Sequence, residues 1–237
     1  MRRHLRAHCH PTEAVKHGYA WNNVVGWIKE SPVAALCTMA TDLTDQEMVA
    51  RLADTDDRII PAFGASLLTG FHPWAVHTIS LARVSRDEHY RTLFGAPEHP
   101  DAQRAIELLP DPVALDDALA QLRSFLGRYP RALVGEVGVD RSFRLPAPPG
   151  SSMRFVPLQT PIEHQLAVLE AQLAIADEYS RSVSMHSVRA AGHTLSLLDN
   201  IYARGNTQSG SCALTRYCAA QLHPEPREHR AGPATAP

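Results

Sequence analysis

His8-Cys9-His10 sets two imidazoles two residues apart at the end of the first expected strand. Side chains alternate faces along a strand, so positions i and i+2 point the same way and both rings could reach one metal ion. A solvated N-terminal segment would show the same spacing, and spacing alone leaves both readings open. Glu136 lies in Val134-Gly135-Glu136-Val137-Gly138-Val139-Asp140. A carboxylate among apolar strand residues is costly to bury unpaired, and either a metal ion or an arginine would offset that cost. Gly135 and Gly138 leave room for close approach at a strand end. His186 closes the apolar run Val183-Ser184-Met185 and reads as a ligand or as a hydrogen-bonded core histidine. His72 stands in Gly70-Phe71-His72-Pro73-Trp74, where Pro73 disfavours helix and suggests a turn.

The constellation says more than its members. A His-x-His after the first strand, a Glu in a middle strand and a His after the next place candidate ligands at successive carboxyl ends of strands. That edge is where parallel α/β barrels assemble their sites. Histidines with a carboxylate suit Zn²⁺ or another divalent ion, which lowers the pKa of a bound water and makes a nucleophile of it.

These residues must be held by a sheet, and the chain supplies one. Short apolar runs bounded by turn residues predict strands near 4–8, 32–39, 58–63, 131–137 and 182–186. Between them, Thr44 with Glu47 reads as a capping box opening a helix, and Thr160-Pro161-Ile162-Glu163 reads the same way. Residues 113–129 carry a helical apolar stripe closed by Pro130, and 190–202 give another helix. Strand–helix alternation predicts parallel strands with crossover helices, an α/β fold. Residues 86–112, with four prolines, predict a long excursion, and 145–157 a loop. Beyond Gly205 no strand is expected, and 221–237 read as disordered.

Composition bounds the function classes. The 237 residues are 44% hydrophobic and 20% charged, which excludes wholesale disorder. A net charge of -2 gives no broad footprint for nucleic acid. Two lysines against 21 arginines reads as coding bias. No run approaches the roughly 18 apolar residues of a membrane span. The N-terminus leads into no secretory signal, so the expected location is cytoplasmic or nuclear. Cys9, Cys37, Cys212 and Cys218 form no C-x-x-C pair, and Cys37 reads as a small buried side chain.

His8-Cys9-His10, G-F-H-P-W at 70–74, V-G-E-V-G-V-D at 134–140, H-Q-L-A-V-L-E-A-Q-L from His164 and V-S-M-H-S at 183–187 occur in the order of the TatD-like metal-dependent deoxyribonucleases, and the chain resembles that family over about 5–204. The V-D-R-S-F-R-L-P wording resembles a fungal branch described as interacting with an anaphase-promoting-complex subunit. The resemblance implies a TIM-barrel-like (β/α)₈ fold and 3′–5′ exonuclease-like hydrolysis of phosphodiester bonds in DNA. His8, His10, Glu136 and His186 would be ligands of a divalent ion, Zn, Mg or Mn, and His72 a substrate-lining residue. The alternative is a non-catalytic module that binds a protein of the cell-cycle machinery.

Three departures qualify the resemblance. Arg6 stands where the family usually has an acidic residue, and Ala65–Thr69 intervene before the G-x-H-P run. The family's later histidine ligand and catalytic aspartate have no counterpart, so no catalytic residue is assigned. The expectation is a C-terminally shortened barrel of about five strand–helix units over 1–204, with an open edge after the fifth strand, and a non-homologous tail over 205–237.

Overall fold

The computed structural model describes residues 5–65, 76–205 and 217–223. His72 lies outside them. The chain runs β1 (Leu5–Cys9), α1 (Pro11–Lys16), α2 (Trp21–Glu30), β2 (Ala35–Met39), α3 (Asp45–Ala53) and β3 (Ile59–Phe63). After a short 3₁₀ turn, Val76–Thr78, come β4 (Ile79–Ser80), α4 (Arg86–Phe94), α5 (Pro100–Glu107), β5 (Val113–Ala114) and α6 (Leu115–Arg128). The last elements are β6 (Leu133–Asp140), α7 (Ile162–Glu178), β7 (Val183–Val188), α8 (Ala191–Gly205) and β8 (Tyr217–His223).

Six strands form one parallel sheet in the order β1-β2-β3-β6-β7-β8, and β4 pairs with β5 in a small sheet of its own. The architecture is an incomplete TIM-like barrel. Curling is required by a contact between distant strands: His8 Nδ1 of β1 lies 3.3 Å from Ser184 Oγ of β7. Four strand spacings of about 4.8 Å would hold these strands about 19 Å apart in a flat sheet.

Alternation along the strands divides the two faces. Val137, Val139, Val183 and Met185 join the main apolar core with Leu122, Leu126, Leu169 and Leu173 of α6 and α7. Phe63 stacks on Phe125 in that core at 4.5 Å. The intervening positions, Glu136, Asp140, Ser184 and His186, are also buried and point to the concave face.

Several expectations need correction. No strand was expected beyond Gly205, yet β8 lies parallel to β7 with Val183 opposite Tyr217 and Val188 opposite His223. The edge expected after the fifth strand is therefore covered, and β8 has its only partner among the described residues in β7. The excursion over 86–112 is largely a pair of helices. Ser85 Oγ accepts from Glu88 N at the start of α4, and Pro100 opens α5. Of its four prolines, Pro100 takes the first turn of α5, and Pro97, Pro110 and Pro112 lie in the connections on either side of that helix. Neither expected capping box forms. Thr44 is itself in helical conformation, and Asp42 Oδ1 accepts instead from the backbone N–H of Thr44 and Asp45, each at 2.8 Å. Thr160 gives no side-chain cap to α7, whose N-cap position is Pro161.

Candidate metal centre

His8 is the penultimate residue of β1, and His10 follows the strand directly. Their Nε2 atoms lie 2.9 Å apart. Glu136 Oε2 lies 3.3 Å from the first and 3.4 Å from the second. Four ligand atoms around a tetrahedral Zn²⁺, at about 2.0–2.1 Å from it, stand about 3.3 Å from one another. The triangle thus has nearly the dimensions of one face of such a site. Among the described residues these three form a group whose ligand atoms could hold a metal ion.

The opposite nitrogens are fixed by protein. His10 Nδ1 lies 3.2 Å from the carbonyl oxygen of Met39, at the end of β2, and His8 Nδ1 faces Ser184. These contacts leave both Nε2 atoms turned to the shared carboxylate, as partners on the far nitrogen do for metal-ligating histidines. Glu136 is fully buried, and its Oε2 makes no well-formed hydrogen bond. An acceptor left in this state is costly unless something cationic meets it. The donor set fits a divalent ion.

His186 sits on the other oxygen. Its Nδ1 is 3.0 Å from Glu136 Oε1, and its Nε2 is 3.6 Å from Asp140 Oδ2. One carboxylate therefore serves three imidazoles, two through Oε2 and one through Oε1. Burial would raise the Glu136 carboxyl, but the close approach of His10, His186 and His8 outweighs it and holds the group far below the usual carboxylate range. Burial would lower His186, yet Asp140 and Glu136 push it up to about 9. Asp140 is held low against its own burial by His186 and Ser142.

The sequence grouped His8, His10, Glu136 and His186, and the structure brings all four together. It did not single out Asp140. That role was open to inspection, because Asp140 stands four residues after Glu136 on the same strand face. A second polar cluster was also missed. Lys16 Nζ donates to Glu13 Oε1 at 2.9 Å, Thr41 Oγ1 at 2.7 Å and Asp42 Oδ2 at 3.0 Å, just behind the His10 turn.

The family model described as TatD related DNase matches residues 7–212. The chain belongs to the TatD family. It is similar to the Cut9-interacting protein scn1 of Schizosaccharomyces pombe, with 33% identity over 201 residues, covering 78% of this chain and 55% of that protein. It is also similar to a Saccharomyces cerevisiae protein named uncharacterized deoxyribonuclease YMR262W, with 26% identity over 128 residues, 52% of this chain and 40% of that protein. This TatD-family chain thus spans about half the length of the curated relatives it matches. Among solved structures, the Escherichia coli TatD homolog YJJV aligns with a TM-score of 0.46 and 19% identity, over 87% of this chain and 61% of that one. No described helix is long and apolar enough to cross a membrane.

Proposed function

We propose that this chain is a divalent-metal-dependent hydrolase of the TatD type that acts on phosphodiester bonds of DNA, with His8, His10, Glu136 and His186 as its metal ligands. The observation carrying the proposal is the single buried carboxylate shared by three imidazoles within 3.4 Å. A bound divalent ion supplies Lewis acidity and a water acidic enough to ionise near neutral pH. The chain's own contribution is orientation. Met39 and Ser184 fix the two β1 histidines, Asp140 backs His186, and apolar strand neighbours keep bulk water from Glu136. His72 would line the substrate side, as the family resemblance suggests.

The test is release of nucleotides from single-stranded DNA with added Mg²⁺, Mn²⁺ or Zn²⁺, comparing the chain with Glu136→Ala and measuring bound metal in both. Metal-dependent release lost in Glu136→Ala supports the proposal. Equal background release, with no metal retained by either protein, overturns it. A second reading, a cytoplasmic or nuclear protein-interaction module, draws support from the similarity to a protein named as Cut9-interacting. Stoichiometric metal binding without any hydrolysis would favour that reading.

A further inference from the structure

Away from the shared carboxylate, the His10 ring is held by one contact, Nδ1 at 3.2 Å from the Met39 carbonyl oxygen. A carbonyl only accepts, so the contact puts the ring proton on Nδ1 and leaves Nε2 with the lone pair a metal ligand needs. The two partners belong to different strands: His10 follows β1, and Met39 ends β2. The last pair of the β1–β2 ladder is Cys9 opposite Thr38, so the His10–Met39 contact lies beyond it. Something past the ladder must hold these strand ends together.

Asp45 does so. It is the first residue of α3 and is fully buried. Its Oδ2 accepts from the Thr12 hydroxyl at 3.2 Å and from the backbone N–H of Thr41 at 2.9 Å. Thr12 stands two residues after His10, and Thr41 two residues after Met39. One oxygen thus ties the segment carrying the imidazole to the segment carrying its carbonyl partner. Thr12 is itself fully buried, so bulk water does not compete for its hydroxyl. A carboxylate acceptor makes such bonds roughly twice as strong as neutral ones. The helix dipole alone would favour an aspartate in this first turn. Here, however, Asp42 already takes the backbone N–H groups of Thr44 and Asp45, and the donors to Asp45 Oδ2, from Thr12 and Thr41, lie outside α3.

We infer that Asp45 is a positioning residue of the metal centre, which sets the His10 ring by bridging Thr12 after β1 to Thr41 after β2. It acts through the two strand ends and not as a ligand. Groups that orient a metal-ligating histidine are worth about 10–100-fold in metal affinity. The inference rests on the metal-hydrolase reading for that consequence, but its first test is made without metal.

The experiment follows the His10 ring nitrogens of the full 237-residue chain in EDTA by long-range ¹H–¹⁵N correlation, then titrates Zn²⁺ by calorimetry. In the parent, His10 should carry its proton on Nδ1, slow to exchange with solvent. Asp45→Ala should lose that signature and weaken Zn²⁺ binding by about 10–100-fold. Thr12→Val keeps the side-chain shape, breaks only the tie from the β1 side, and should weaken binding about five-fold, the worth of one hydrogen bond. Asp45→Asn restores an acceptor oxygen for Thr12 and Thr41, and Lys16 keeps Glu13 and Asp42. It should stay within about two-fold of the parent. Leu109→Ala, in the separate apolar cluster around Tyr90, controls for lost stability and should leave the His10 signature and the Zn²⁺ affinity unchanged. Circular dichroism checks that each variant is folded, and if Asp45→Ala is not, Thr12→Val decides. A parent His10 without a protonated Nδ1, an unchanged signature in folded Thr12→Val, Asp45→Asn as damaging as Asp45→Ala, or equal loss in Leu109→Ala would overturn the positioning role. A parent that binds no Zn²⁺, yet shows the His10 signature and loses it in Thr12→Val, would sink the metal reading and leave the hold of Asp45 on His10 standing. The two readings fail separately.

Discussion

Gly138 and His186 face each other across β6 and β7 so closely that a Cβ on Gly138 would sit 1.8 Å from the His186 carbonyl oxygen. The glycine also has φ of +153°, a region that side-chain-bearing residues rarely adopt. The strand pair that presents Glu136 and His186 thus depends on one absent side chain. Gly138→Ala must part the strands or shift β7, and the expected cost is about 3 kcal/mol or more, at the upper end for single substitutions. Urea titration would measure it. A Gly138→Ala protein as stable as the parent would mean that β7 can move freely away from β6.

Lys16 is the hub of a buried ionic cluster rather than a surface cation. Its side chain is 9% exposed and contacts Glu13, Thr41 and Asp42, with Asp45 at 3.6 Å. Asp42 in turn holds the first backbone N–H groups of α3. Removing the cation leaves buried carboxylates without compensation, a loss of about 3–5 kcal/mol. Lys16→Met should show a loss of that order by denaturant unfolding. Lys16→Met combined with Asp42→Asn should cost less than the two single changes added together, because the second change removes the stranded charge.

Acid sensitivity should come first from histidines, not carboxylates. Burial lowers His77 to about 3 and also lowers His89 and His164, while an unfolded histidine titrates near 6.5. As pH falls below about 6.5, the unfolded chain takes up protons that the folded chain refuses, so stability falls by up to about 1.4 kcal/mol per pH unit per histidine. Glu136, Asp140 and Asp42 are all held low, so their contribution is lost only at more acidic pH, below their unfolded values near 4. His186 behaves oppositely. Raised to about 9, it contributes fully below about 6.5 and loses that contribution as pH rises through 9. The metal-free protein should therefore be most stable near pH 6.5. Unfolding free energies in EDTA across pH 4.5–9 would show it, and His77→Gln should flatten the acid limb by about one proton.

How far the sequence alone reaches differs between the site and its frame. That His8, His10, Glu136 and His186 converge was legible because their places at the ends of parallel strands put them on one edge of the sheet, and a period of two sets their faces. That Glu136 serves three imidazoles at once was not legible, since it depends on how tightly the sheet curls to bring β1 within reach of β7. Asp140 was visible as a residue but not as the partner of His186, because the β6–β7 register sets that pairing. β8 escaped because Tyr217-Cys218-Ala219-Ala220-Gln221-Leu222-His223 has no β-branched residue and follows a Gly/Ser-rich stretch. The Thr44 box failed for a local reason: Asp42 Oδ1, two residues earlier, accepts from the Thr44 N–H that Glu47 would have bonded and from the Thr44 hydroxyl itself.

Metal binding should separate the three-residue triangle from His186. A ligand that binds only the folded state adds about 2.7 kcal/mol of stability at a hundredfold excess over its Kd, so Zn²⁺ should raise the melting temperature of the chain. Glu136→Ala removes the one group that faces every imidazole and should abolish the rise. His186→Ala leaves His8, His10 and Glu136 Oε2 in place, with their spacing of 2.9–3.4 Å unchanged, and should retain a smaller rise. Its metal-free stability carries a second readout. Losing His186 leaves Glu136 Oε1 and Asp140 Oδ2 buried at 3.0 and 3.6 Å from an absent cation, so His186→Ala should be less stable than the parent in EDTA. Zn²⁺ should then recover part of that loss, because the ion compensates Glu136 from the Oε2 side. If His186→Ala abolished the Zn²⁺ response as completely as Glu136→Ala, the triangle would not be a site by itself, and the ion would have to depend on both oxygens of the shared carboxylate.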